Sequence, residues 1–337
     1  MDQAVTDRGT STQAQTSTPY VFSDWQPWYV GVDRAVGTAD LAFDAVPSVL
    51  TAPVARKQYV NVLRVDLTNQ NVSFCTTPKG GSYQTCGDTI TGFLSKETDV
   101  MVAINANFSW YDDDVANGNF SLMGLAISKG SVVCDPTQPA PPLMQGADVR
   151  DQNDVGAMAM MISEGNAVTF QLVTQDNPAD LSNAYTAIAG SPQPASVQSS
   201  GNSWPPQEQV EGQPILLVDN GVNQARPEQC PVEEIAGRTA VGLSADNQYL
   251  YLVTLDGCEN AAWHYGGGYY DIAQWLIIAG ASTGLNLDGG GSTAMACSVV
   301  DGGPVLMNIP FGKETQGTAG TQRAVGSFFG VVTQRLS

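Results

Sequence analysis

Three consecutive glycines behind one acid, in Leu285-Asn286-Leu287-Asp288-Gly289-Gly290-Gly291-Ser292-Thr293, constrain this chain more than any other stretch. Glycine reaches positive φ and lets a second backbone or a ligand approach closely, at an entropic cost that an ordinary surface loop has no reason to accept three times. An acid at the end of an apolar strand, just ahead of such a turn, is held by the sheet yet presented to a ligand. The plainer reading is a tight turn in which Asp288 only caps the amides that follow it.

Around this run the pattern is mostly that of strands. Tyr59 to Leu67 alternates apolar and polar residues, and Val100 to Ile104 reads as a buried strand. Further strands are expected at 124–128, 157–163, 168–173, 215–218, 239–244, 249–255 and 327–332. The methionines from Met158 to Met161 fall inside one of them and suit a core. Hairpin turns are expected at Asp246-Asn247 and Asp301-Gly302-Gly303. Helical spacing is clearest from Tyr269 to Ala281, with Gly280 placed to end it. These elements predict an α+β fold of mixed, largely antiparallel sheets with packed helices. Residues 21–337 form one expected domain, behind a flexible N-terminal tail over residues 1–20. The Pro-, Ser- and Gln-rich stretch 191–212 reads as a surface insertion. Trp25 and Trp28 either cover the core or line a subsite.

The chain has 337 residues, with 33 acids against 14 bases and a net charge of −19. So acidic a chain repels nucleic acid and anionic membranes at long range, which argues against both as partners. It also offers no general attraction for an anionic substrate, so local cations would have to hold one. Six cysteines without a Cys-x-x-Cys pair, and a single histidine, fit disulfides in an oxidising compartment better than a zinc site. Cys75 and Cys86 close a short loop and are the first pair expected; Cys134, Cys230, Cys258 and Cys297 leave the remaining connectivity open. The first residues are polar, with no apolar signal core, and no run is long enough to span a bilayer. With the cysteines, this reads as a mature or trimmed start of a secreted or otherwise extracytoplasmic protein.

The acid and glycine run does not stand alone. Val102-Ala103-Ile104-Asn105-Ala106-Asn107-Phe108, Gly237-Arg238-Thr239-Ala240-Val241-Gly242, Leu255-Asp256-Gly257, Asp271-Ile272-Ala273, Asn308-Ile309-Pro310 and Gln322-Arg323-Ala324-Val325-Gly326 occur around it in order. Over roughly residues 59 to 332 this set resembles the phosphodiester glycosidase family. One departure is Asp271, where the family usually has Glu. The resemblance implies a hydrolase that releases a sugar from a sugar-1-phosphodiester, with α-N-acetylglucosamine as the sugar and no cofactor required.

Such a reaction develops an oxocarbenium-like sugar and a phosphate leaving group already charged, so a carboxylate near the anomeric carbon and cations on the phosphate matter most. Asp288 is the expected base or nucleophile, with Asp271 or Asp256 as the second acid. Asp271 also suits the first turn of a helix, and Asp256 a turn before Gly257. Arg238 and Arg323 each stand at the start of an Ala-Val-Gly strand segment and could clamp a phosphate, or tie down a carboxylate such as Asp256 or Asp288. The Gly289, Gly290 and Gly291 amides, with Ser292 and Thr293, are candidate donors to substrate oxygens. Asn105 and Asn107 suit sugar hydroxyls or a turn. His264, between Trp263 and Tyr265, contacts sugar or simply packs. Asp112, Asp113 and Asp114 could hold Ca²⁺ or form a solvated loop. Asn71, Asn107 and Asn119 lie in Asn-x-Ser sequons. Two other functions stay open: a glycoside hydrolase or transglycosylase acting on an ordinary O-glycoside of a polysaccharide, and a carbohydrate-binding module without turnover.

Overall fold

The structure is a computed structural model, described here for residues 19–42, 55–81, 84–111, 118–137, 157–174, 177–190, 216–225, 235–257, 266–299, 302–311 and 320–336. A nine-stranded sheet forms its spine, with Val32–Ala42, Ala55–Asp66, Tyr249–Leu255, Arg238–Ser244 and Ala281–Asn286 as successive neighbours. Two five-stranded sheets pack against it. One runs Gly303–Leu306, Met295–Val299, Val100–Asn105, Phe328–Val332 and Ser73–Thr76, and the other includes Ala157–Ile162 and Thr186–Gly190. A small three-stranded sheet joins Thr85–Cys86, Asn119–Leu122 and Ser109–Tyr111.

The spine is built from alternation. Leu63, Val65, Val241, Leu252 and Leu285 face one way, into a core shared with Val102, Ile104, Phe329, Met160 and Ile188 of the five-stranded sheets. Val60, Val62, Val253 and Leu255 face the other way and are covered by Ile272, Trp275 and Leu276 of the helix Tyr269–Ala279. Trp275 is fully buried, and its indole Nε1 donates to Gln58 Oε1 at 2.8 Å. That helix ends at Gly280 with φ of 113°, the left-handed cap that a Cβ would strain.

The strand expectations fall on strands, with the 215–218 segment reduced to Val218–Asp219. The methionines pack in the core, as their pattern suggested. The expected helical content needs correcting. Among the described residues the fold is dominated by strands, and Tyr269–Ala279 is joined by only one other α-helix, Ile90–Lys96. Trp25 and Trp28 cover core: Arg64 lies 4.5 Å over the Trp25 ring and Arg34 4.9 Å over Trp28.

The disulfide expectation also changes. Cys75, Cys86, Cys134 and Cys297 carry free thiols. Cys75 is buried in a five-stranded sheet, in register with Gly330, whereas exposed Cys86 belongs to the three-stranded sheet opposite Asn119. The two ends of the short loop enter different sheets, and neither sulfur is in a disulfide. Cys230 and Cys258, the 191–212 insertion, and residues 1–18 of the tail lie outside the described residues. Tyr20, assigned to the tail by sequence, begins the first strand. Among the described residues no helix is long and apolar enough to cross a membrane.

Candidate active site

The glycine run is the passage between two sheets. Ala281–Asn286 leaves the nine-stranded sheet, residues 287–294 turn, and Met295–Val299 enters a five-stranded one. A single-turn 3₁₀ helix over Gly290–Ser292 makes that turn, with Gly290 at φ of 60°. The need for glycine is sharpest at Gly291, where a Cβ would stand 2.6 Å from Arg323 Nη2 and 2.9 Å from the Phe311 carbonyl.

Asn105 holds this passage in place. Its Oδ1 accepts from Thr239 Oγ1 at 2.6 Å and from the Ala294 amide at 3.0 Å, and its Nδ2 donates to the Asp288 carbonyl at 2.6 Å. One buried side chain thus ties a strand from each of two sheets to both ends of the turn that carries the acid. Asn107 is similarly committed: Nδ2 donates to the Met123 and Leu125 carbonyls, and Oδ1 accepts from Ser327 Oγ. Both asparagines are buried, with their amide groups engaged by protein. These bonds fit the turn-holding role that the sequence offered for them beside sugar binding. Burial of Asn107 also removes it as a glycosylation acceptor in the folded chain, whereas Asn71 is exposed.

Asp288 is half-buried at the head of the turn. Its Oδ1 accepts from the Gly289 amide at 2.9 Å. Burial raises its pKa to about 6, against the lowering pull of the Ser292 hydroxyl, Arg323 and that amide. Arg323 Nη1 reaches Ser292 Oγ at 3.4 Å. Carboxylate, hydroxyl and guanidinium therefore meet on one turn.

Arg238 reaches the same turn from its other end. A Cβ on Gly289 would lie 3.7 Å from Arg238 Nη1, so the two guanidiniums flank the glycines. Their environments differ. Arg238 is buried, donates from Nε to the Gly267 carbonyl at 3.0 Å, and sits 4.5 Å over the Tyr269 ring. Arg323 keeps more surface open.

Asp256 lies at the same sheet end, one residue beyond Leu255, the register partner of Arg238. Burial raises its pKa to about 6 too, opposed by the Ile309 amide and the Asn308 side chain. Asp271 is different: its Oδ2 accepts from the Gly268 amide at 2.8 Å, and the side chain caps its own helix. The shorter acid at the usual Glu position is engaged in that cap, the helix-start role the sequence offered beside a catalytic one.

Four amides of the run are spent within the protein: Gly289 on Asp288, Gly290 on Gly237, Ser292 on Gly289 and Thr293 on Gly290. The expected cradle of amides for a phosphate is reduced accordingly. Thr293 Oγ1 is buried and has no hydrogen-bond partner among the described residues. Sequence reading missed Asn308 and Tyr269 as members of the site, although Asn308 stood in a quoted motif. His264, with Trp263 and Tyr265, and Asp112, Asp113 and Asp114 lie outside the described residues. No group of three or more His, Cys, Asp or Glu side chains that could hold a metal occurs among those that are described.

This geometry can be set beside known proteins. The family model for phosphodiester glycosidase matches residues 99–332, which contain every element of the turn and its flanking acids and arginines. A solved structure of the catalytic domain of zebrafish N-acetylglucosamine-1-phosphodiester α-N-acetylglucosaminidase, auto-inhibited by its pro-peptide, is similar in fold. It has a TM-score of 0.59 at 17% identity, over 94% of this chain and 89% of that one. A Burkholderia pseudomallei protein described as exported gives a TM-score of 0.55 at 13% identity, over 96% of this chain and 98% of that one. No curated protein sequence matches the chain. The fold is a sheet-built scaffold that places an acid on a glycine turn between two sheets. The chain belongs to the phosphodiester glycosidase family.

Proposed function

We propose that the chain is an extracytoplasmic glycosidase that hydrolyses a sugar-1-phosphodiester to free sugar and a phosphomonoester. The observation that carries this reading is the meeting of Asp288, Ser292 and Arg323 on the glycine turn. Asp288 stands at the anomeric carbon as base or nucleophile, in its ionised form. Arg323 takes the phosphate, since it is the more open of the two guanidiniums and is aimed at the same turn. Arg238, locked over Tyr269, fixes the electrostatics of the turn and the position of Gly289. Asp256 is the second acid, orienting water or stabilising the sugar cation. The α-N-acetylglucosamine diester is the first substrate to try, because the zebrafish enzyme of similar fold is named for it.

The competing reading is an ordinary O-glycoside. An inhibition assay separates them: a phosphodiester site is inhibited by α-N-acetylglucosamine-1-phosphate far below the concentration at which free N-acetylglucosamine acts. Equal inhibition by both would favour the O-glycoside.

A further inference from the structure

Asp256 does not hang freely at the end of its strand. The Ile309 amide donates to its Oδ1 at 3.2 Å, and the neighbouring Asn308 side chain pulls the pKa of the same carboxyl down. Asn308 is itself buried and anchored from two sides. Its Oδ1 accepts from the Met295 amide at 2.7 Å, and its Nδ2 donates to the Thr293 carbonyl at 3.3 Å. Met295 and Thr293 belong to the stretch by which the glycine turn enters the next sheet. The Asn-Ile-Pro segment therefore reaches Asp256 with one hand and the turn with the other.

We propose that Asn308 and the Ile309 amide form a two-donor clip that sets the orientation and ionisation of Asp256 relative to the glycine turn. Asn308 is thus a positioning residue for the second acid of the site. The inference rests on the phosphodiester reading only in calling Asp256 an acid of the reaction; the clip itself is geometry. Donors aimed at a carboxylate favour its charged form, and here they oppose the burial that pushes Asp256 up. The groups facing it are these two donors and, on the paired strand, the Tyr59 backbone, whose carbonyl accepts from the Asp256 amide at 2.9 Å. Tyr59 and Lys57 are the titratable side chains of that strand end, and no charged group is among the causes of the Asp256 shift. Ile309 is 52% exposed, so this position can be changed without opening the core.

The test uses the full chain and two variants. Ile309→Pro removes the amide donor while keeping the Asn308 side chain, and Asn308→Ser shortens the other arm and keeps the Ile309 amide, so the two together separate the arms. The Asp256 carboxyl signal, assigned by its loss in Asp256→Asn, is titrated by ¹³C NMR, and the acid limb of kcat is followed with the glycosyl phosphodiester. Each variant is expected to raise the Asp256 pKa by on the order of one unit and to carry the acid limb of kcat upward with it, at little change in KM. An Asp256 pKa unmoved in a folded Ile309→Pro chain overturns the clip. A pKa that moves while the acid limb stays fixed overturns its role in the reaction. Failure of the parent to cleave any glycosyl phosphodiester would strike the functional reading and leave the NMR titration to decide the clip.

Discussion

Replacing Asn105 by Ala should damage stability before it damages substrate affinity. The side chain accepts from the Thr239 hydroxyl and the Ala294 amide and donates to the Asp288 carbonyl, all at 3.0 Å or less, in a site with no exposed surface. Truncation leaves two buried donors without an acceptor, at about 1–3 kcal/mol each, so the loss is about 2–6 kcal/mol before any water enters. Even its lower end is more than tenfold in the unfolding equilibrium, at about 1.4 kcal/mol per factor of ten. With a urea slope of about 3 kcal/mol per molar, a loss of about 3 kcal/mol lowers the unfolding midpoint by about 1 M. Urea titration followed by tryptophan fluorescence reads this directly, with KM measured on the surviving folded enzyme. A midpoint equal to the parent's, together with a KM raised tenfold, would refute the positioning role and restore Asn105 as a sugar contact.

Three further outcomes follow from the same geometry. Gly291→Ala forces a Cβ to within 2.6 Å of Arg323 Nη2, so kcat/KM should fall by at least tenfold while circular dichroism is unchanged; full activity would mean that Arg323 does not serve the turn. Asp288 has a pKa raised by burial to about 6, so between about pH 4 and pH 6 the folded chain binds more protons than the unfolded one and loses stability as pH rises. Asp288→Asn should therefore melt higher than the parent at about pH 7 and close to it at about pH 4, as thermal scans would read; a lower melting point at both would contradict the burial account. Cys86 is exposed whereas Cys75, Cys134 and Cys297 are buried, so iodoacetamide followed by peptide mass spectrometry should label Cys86 in the native chain and the other three only in denaturant. Isolation of a Cys75-Cys86 disulfide peptide would overturn the free-thiol state of both residues.

Much of this fold was legible because alternation and turn chemistry are local. Tyr249–Leu255 and Val168–Val173 fall where their patterns placed them, and Gly280 ends its helix as expected. The short helix Ile90–Lys96 was not foreseen, since a run of seven residues offers too few turns for a period to stand out. In the site, the acid-glycine turn and the two arginines flanking it could be read from residue types in order. What could not be read was which polar side chains are used up by the protein itself. Asn105 and Asn107 carry the same chemistry whether they face a sugar or the backbone, and their partners lie far off in the sequence, whereas the Asp271 cap is local and its helix start could be read. The Cys75-Cys86 pairing could not be settled from loop length, because the ends of a short loop can enter different sheets, as these two do.

The most direct test of the central claim is release of free sugar from methyl-phospho-α-N-acetylglucosamine by the parent chain, by Asp288→Asn and by Arg323→Ala, each verified as folded. The account predicts release by the parent, at least a thousandfold less by Asp288→Asn, and a loss by Arg323→Ala that is smaller for an uncharged aglycone than for the phosphodiester. Release by Asp288→Asn at the parent's rate would contradict it, and so would a parent that cleaves a neutral α-glycoside but no phosphodiester.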